Sequence, residues 1–106
     1  MADRIEQLRR MLDADPEDAF CLYALGMEYA GRDEHQAAAA HLEQSLVSDP
    51  DQPYACFQLA RSLAQLRKQP EAAAAIDRGL EIAESQGDDK AYSELAELRV
   101  TLRLDG

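Results

Sequence analysis

Two cysteines, Cys21 and Cys56, and two histidines, His35 and His41, carry the reactive groups of this 106-residue sequence. Thiolates and imidazoles together could hold zinc or form a nucleophile–base pair. The spacing opposes both. His35 and His41 stand six residues apart, which puts them on different faces of one helix. They cannot bind one metal together, and each reads as a surface residue. Two cysteines without clustered histidines make no zinc site. A structural disulfide would suit an exported chain, but Met1 to Arg10 is polar and carries no apolar signal core. The thiols therefore read as small buried apolar groups, and the chain as cytoplasmic. No Ser-His-Asp set, phosphate loop or HExxH occurs. Asp88-Asp89, and Asp49 with Asp51, read as caps and turns, lacking the ligands and glycine of a calcium loop. The expectation is a protein that is not an enzyme, with no catalytic residue, no metal and no cofactor.

Charge narrows the partners. The formal net charge is −10. Phosphate backbones need Lys and Arg clusters, so nucleic acid is not expected. Anionic membranes are disfavoured for the same reason, and no run approaches the roughly 18 apolar residues of a transmembrane helix. Solubility accounts for the charge most simply; a basic protein partner is the sharper reading.

The elements that must position any site are helical. Leu22, Leu25 and Tyr29 recur at three- and four-residue steps, so they share one helix face. Gly26 sits inside that stripe, where it costs about 1 kcal/mol against alanine. Close approach of a second helix is the reason it implies, and Ala38 lies where that helix would pass. Leu42 and Pro50 follow. A second copy aligns without a gap: Cys56, Leu59, Ala60 and Leu63 replace Leu22, Leu25, Gly26 and Tyr29, while Ala72, Ile76 and Gly79 match Ala38, Leu42 and Ser45. Upstream, Ile5, Leu8, Met11 and Leu12 make an amphipathic helix, with Leu8 matching Leu42 and Arg4 where Ala38 would be. Downstream, Ala91, Leu95, Leu98 and Leu102 form a last stripe flanked by Tyr92.

This pattern resembles the tetratricopeptide repeat, with its 34-residue period. Leu22 stands for the family's tryptophan and Leu42 for its phenylalanine; the leucine, glycine, tyrosine, alanine and proline stand. The resemblance covers residues 16 to 86 well and both ends loosely. It implies an all-α, antiparallel helix-turn-helix repeat stack with terminal capping helices. Residues 1–106 would form one domain: a half-repeat helix at 1–15, repeats at 19–52 and 53–86, and a capping helix at 87–106. Helices are expected near 2–14, 17–30, 34–48, 53–67, 70–86 and 89–103. Asp15 would cap the second with Pro16 in its first turn, Asp33 would cap the third, and Gly31 would stop the second.

A second stripe lies beyond the packing one: Phe20, Tyr23, Met27 and Ala30 in the second helix, and Tyr54, Phe57, Arg61 and Ala64 in the fourth. In the family, first helices of successive repeats line a concave groove that holds a peptide. Matched by position, Phe20, Tyr23, Met27, Tyr54, Phe57 and Arg61 would line it here. Some members clamp the acidic C-terminus of heat-shock chaperones; Tyr23, Met27 and Gln58 occupy those positions here, so that clamp is absent. Arg61 is the cation expected to face the groove, paired with a ligand carboxylate, with Glu28 or with Asp18. The resemblance implies an adaptor for a segment of another protein, basic with apolar anchors. The alternative is a homodimer through the apolar groove or the end of the stack.

Overall fold

The computed structural model describes residues 3–104, which form six α-helices and, among the described residues, no strand. They are α1 (Arg4–Ala14), α2 (Ala19–Gly31), α3 (His35–Ser48), α4 (Pro53–Gln65), α5 (Gln69–Gln86) and α6 (Asp89–Thr101). Each helix packs on the next in the chain, and in addition α2 touches α4 and α4 touches α6. The result is an elongated stack, 44 × 29 × 19 Å. No described helix is long and apolar enough to cross a membrane.

Burial follows the repeat. Leu22, Leu25 and Tyr29 of α2 are buried, as are Cys56, Leu59, Ala60 and Leu63 of α4. Gly26 is a close-approach residue: a Cβ there would lie 2.6 Å from Leu42 Cγ and 3.3 Å from the Ala38 carbonyl. Both thiols are free and fully buried. Burial pushes the Cys56 thiol up to about 11. Burial, and then the Asp18 carboxylate that accepts from its Sγ at 3.5 Å, push Cys21 up as well.

Helix starts and stops differ from the expectation in instructive ways. α2 begins at Ala19, and its cap is Asp18, whose carboxylate accepts from Cys21 N–H at 3.2 Å. Asp15 instead closes a turn, its carbonyl accepting from Asp18 N–H at 3.2 Å, with Pro16 inside that turn. Asp33 is no cap. It takes the left-handed conformation (φ 58°) that ends α2, and Glu34 occupies the cap position of α3 without a side-chain hydrogen bond. Gly31 is the last helical residue of α2 and not its left-handed terminator. Gly87 does terminate α5, with φ 66°.

Candidate functional site

The α2–α4 seam is anchored from below by three polar side chains. Ser45 Oγ donates to the Ala19 carbonyl at 2.8 Å, tying α3 to the start of α2. Gln52 Nε2 donates to the carbonyls of Ser45 (2.9 Å) and Asp49 (2.8 Å), which fixes the turn into α4. The Asp18 cap sets where α2 begins, so Phe20 and Tyr23 project from its first turn and a half. Pro53 does the same for α4, since its missing N–H is harmless in a first turn, and Tyr54 follows it.

Two depressions open along this seam. The larger, about 510 Å³, is walled by Phe20, Tyr23 and Tyr54, with Asp49 and Gln52 at its edge. Phe20 is 69% exposed, a large apolar side chain left in water. The smaller, about 350 Å³, lies at the other end of the seam. Met27 and Ala30 of α2, His35, Gln58, Arg61 and Gln65 line it, and Leu102 beyond α6 closes it. Five of the six expected residues thus line one depression or the other: Phe20, Tyr23 and Tyr54 together, Met27 and Arg61 together.

Phe57 lines neither. It is half-buried against the central cluster around Leu59 and also against Ala83, Ala91 and Leu95. The Tyr54 and Phe57 rings sit 6.4 Å apart. Tyr54 shares the second of those clusters. The cause is α6, which brings Ala91 and Leu95 against α4.

Electrostatics leave the tyrosines neutral. Burial pushes the Tyr23 hydroxyl up. Burial raises Tyr54 too, followed by Glu94, whose carboxylate accepts its hydrogen bond. Arg61 is exposed and makes no ion pair among the described residues. The carboxylates weighed as its partners are engaged elsewhere: Glu28 with Arg4 (3.8 Å) and Arg32 (4.0 Å), Asp18 with the α2 cap.

Neither histidine is the surface residue that the sequence led us to expect: both are half-buried. His41 stacks on Tyr29 with centroids 5.1 Å apart, and its Nδ1 lies 2.8 Å from the Ala37 carbonyl. His35 is half-buried at the smaller depression, with Nδ1 buried and without a hydrogen-bond partner. Among the described residues no three His, Cys, Asp or Glu side chains could hold a metal ion together. Gln52, Ser45, Gln65 and Leu102 were not foreseen as site residues. Ser45 and Leu102 were marked by the spacing only as packing positions, and the two glutamines carry no periodic signal.

A solution structure of a tetratricopeptide repeat domain protein from Salinibacter ruber is similar to this chain, with 31% identity and a TM-score of 0.74 over 83% of this chain and 89% of the other. The chain belongs to the tetratricopeptide repeat family. A crystal structure of a tetratricopeptide repeat domain protein from Salinibacter ruber gives 29% identity and a TM-score of 0.74, covering 82% of this chain and 97% of that one. A solution structure of a protein from Bordetella parapertussis gives 29% identity and a TM-score of 0.84, covering 97% and 90%. No family model matches the chain, and no curated protein matches it. The tetratricopeptide stack is a helical repeat scaffold of the protein-interaction kind.

Proposed function

We propose that this tetratricopeptide protein is an adaptor that holds a segment of another protein along the α2–α4 seam. The observation that carries this reading is the apolar depression between Phe20, Tyr23 and Tyr54, with Phe20 left 69% exposed beside it. Tyrosine and phenylalanine bury much area for few rotamers, which suits an anchor pocket. Residues 1–106 act as one domain, with repeats at 19–52 and 53–86 placing the seam. Met27, Phe57 and Arg61 extend the surface toward the second depression. A net charge of −10 favours approach of a basic segment, so the ligand is a peptide with apolar anchors flanked by Lys or Arg. The activity is binding, not catalysis.

Titration with a basic-apolar peptide and its acidic counterpart tests this. The basic peptide binds more tightly, and added salt slows its association more than it speeds release. Phe20→Ala or Tyr23→Ala costs on the order of 2 kcal/mol in affinity if the residue is a hot spot. Tighter binding of the acidic peptide, or indifference to both truncations, rejects the reading. A dimer that covers Phe20 and Tyr23 would mean that a second copy fills the seam instead.

A further inference from the structure

The charge of the chain is unevenly placed. Consecutive helices pack on one another through short turns, so they run antiparallel and alternate turns fall at opposite ends of the stack. Residues 15–18, 49–52 and 87–88 form the turns at one end, and they hold six carboxylates and no Lys or Arg. Gln86 bridges two of these turns, donating from Nε2 to the Asp51 carbonyl at 2.8 Å. Residues 32–34 and 66–68 form turns at the other end, with three cations and two carboxylates. Capping explains only part of the contrast. Asp18 and Asp88 cap helices, and Asp49 accepts from Asp51 N–H within its own turn. The side chains of Asp15, Glu17 and Asp51 have no such role among the described residues. Helix dipoles do not explain the rest. Each end of the antiparallel stack carries the positive ends of three helices and the negative ends of three, which offset each other.

The two depressions on the seam follow this contrast. The one between Phe20, Tyr23 and Tyr54 opens at the acidic end, with Asp49 at its edge. The one at the mixed end is lined by Gln58, Arg61 and Gln65, whose side chains all offer N–H donors. His35 lines it too, and its Nδ1 is buried without a partner. Arg61 makes no ion pair among the described residues. The carboxylate on that wall, Asp33, is 94% exposed and lies 3.7 Å from His35 Nε2.

We propose that a bound segment lies on the seam in one charge polarity, with an apolar anchor and adjoining Lys or Arg at the Phe20 end and an Asp or Glu side chain at Arg61. This rests on the adaptor reading and adds to it a second recognition element of opposite sign. One arginine among neutral amides, with Asp33 nearby, matches a single negative charge, which is a carboxylate and not a phosphoryl dianion. It is not the chaperone clamp. That clamp grips a chain end, whereas this cation stands three residues past Gln58 and reads a side chain within the segment. The helices set the spacing. Tyr54 to Arg61 is seven residues and Phe20 to Ala30 is ten, which correspond to about 10 and 15 Å of α-helix. An extended chain covers that span in about three to five residues. A segment with its acid beside the anchor meets the carboxylates of the acidic end instead.

Fluorescence anisotropy of C-terminally amidated peptides with the full chain tests this. Each peptide has a Phe anchor with two Lys on one side and, on the other side, Glu or Gln either next to the anchor or four residues away. The two Glu peptides have the same composition, so general attraction to an acidic chain does not separate them. Distant Glu is expected to bind about two- to fivefold more tightly than distant Gln, the range of an exposed ion pair. Glu next to the anchor binds more weakly than Gln there. Arg61→Gln closes the distant Glu–Gln gap, and Arg61→Glu reverses it. Arg61 is exposed, so both variants keep the helical circular dichroism. Equal binding of the distant Glu and Gln peptides, a gap that survives Arg61→Gln, or a preference for acid that appears only with a free terminal carboxylate overturns the polarity and leaves the adaptor reading standing. Binding by none of the peptides overturns both.

Discussion

The two complete helix pairs solve the same packing problem with the small residue on opposite sides. In α2–α3 the glycine is on the first helix: Gly26 receives Leu42. In α4–α5 the matching position is Ala60, and the glycine has moved to the second helix, where Gly79 receives Cys56 on one side and Leu95 of α6 on the other. The position matching Gly79 in the first pair is Ser45, which is buried and spends its hydroxyl on the Ala19 carbonyl. Close approach is therefore a property of the pair and not of one position. The second pair is squeezed from two sides because α5 serves both α4 and α6.

The largest effects test whether the two pairs share one core logic. Leu42 and Ile76 occupy matching positions and are both fully buried. Leu42→Ala and Ile76→Ala should each cost about 2–5 kcal/mol in urea unfolding. Leu42 sits over a glycine that offers no side chain to fill the hole, so it should cost more than Ile76. A cost below about 1 kcal/mol for either would break the equivalence.

Next come the glycines. Alanine at either position gains about 1 kcal/mol of helix propensity and loses about 1–3 kcal/mol to overpacking. The two sites should then part in double-mutant cycles. At Gly26 the added methyl meets the Leu42 side chain at 2.6 Å, so Leu42→Ala should relieve Gly26→Ala. At Gly79 it meets the Cβ of Cys56, which is fixed to the α4 backbone, so Leu95→Ala should give much less relief. Equal rescue at both would remove the contrast.

The same pairs show what the sequence can disclose. The buried stripes were legible because Leu22, Leu25 and Tyr29 recur as Cys56, Leu59 and Leu63, and burial follows that period. Gly26 announced a close contact by being expensive in a helix. The exits were not legible. Asp33 and Arg67 adopt left-handed backbone without being glycine, held by the backbone bonds to Tyr29 and Leu63 and by the packing that follows. The start of α2 was misplaced because Asp15-Pro16 and Asp18 both fit a capping pattern, and only the Cys21 N–H decides between them. Of the seam, the residue types were legible from their helix face. Phe57 turning partly inward was not, because that depends on α6, whose register runs two residues beyond the 34-residue period after an 18-residue α5.

Helix starts offer a smaller test of the same asymmetry. Asp18 caps α2 through its side chain, and Asp88 caps α6, accepting from Ala91 N–H at 3.0 Å. The helices α3, α4 and α5 begin without side-chain caps. Asp18→Ala and Asp88→Ala should each cost about 1 kcal/mol, whereas Glu34→Ala should be near neutral by the same thermal or urea measurement. A comparable loss at Glu34 would mean that the side-chain caps at Asp18 and Asp88 are not special.

The smallest expected effect separates the pairs by pH. Cys56 takes the place of Leu22, so only the second pair carries an ionisable group at that position. Burial raises its thiol from 9.0 to about 11 in the folded chain. The folded state thus holds the proton more tightly than the unfolded state. The stability this gives is fully present below about pH 9, and it is lost as pH rises through about 11. Tyr23 and Tyr54 are also raised and add to the same alkaline loss, so the wild-type profile alone cannot isolate the thiol. Comparing it with Cys56→Ala does: the variant is less stable near neutrality, because a buried side chain is trimmed, and the gap narrows between pH 9 and 11. Cys21→Ala should narrow its own gap in the same direction, since burial and Asp18 raise that thiol as well. A gap for Cys56→Ala that stays constant across this range would show that folding does not raise the affinity of this thiol for its proton.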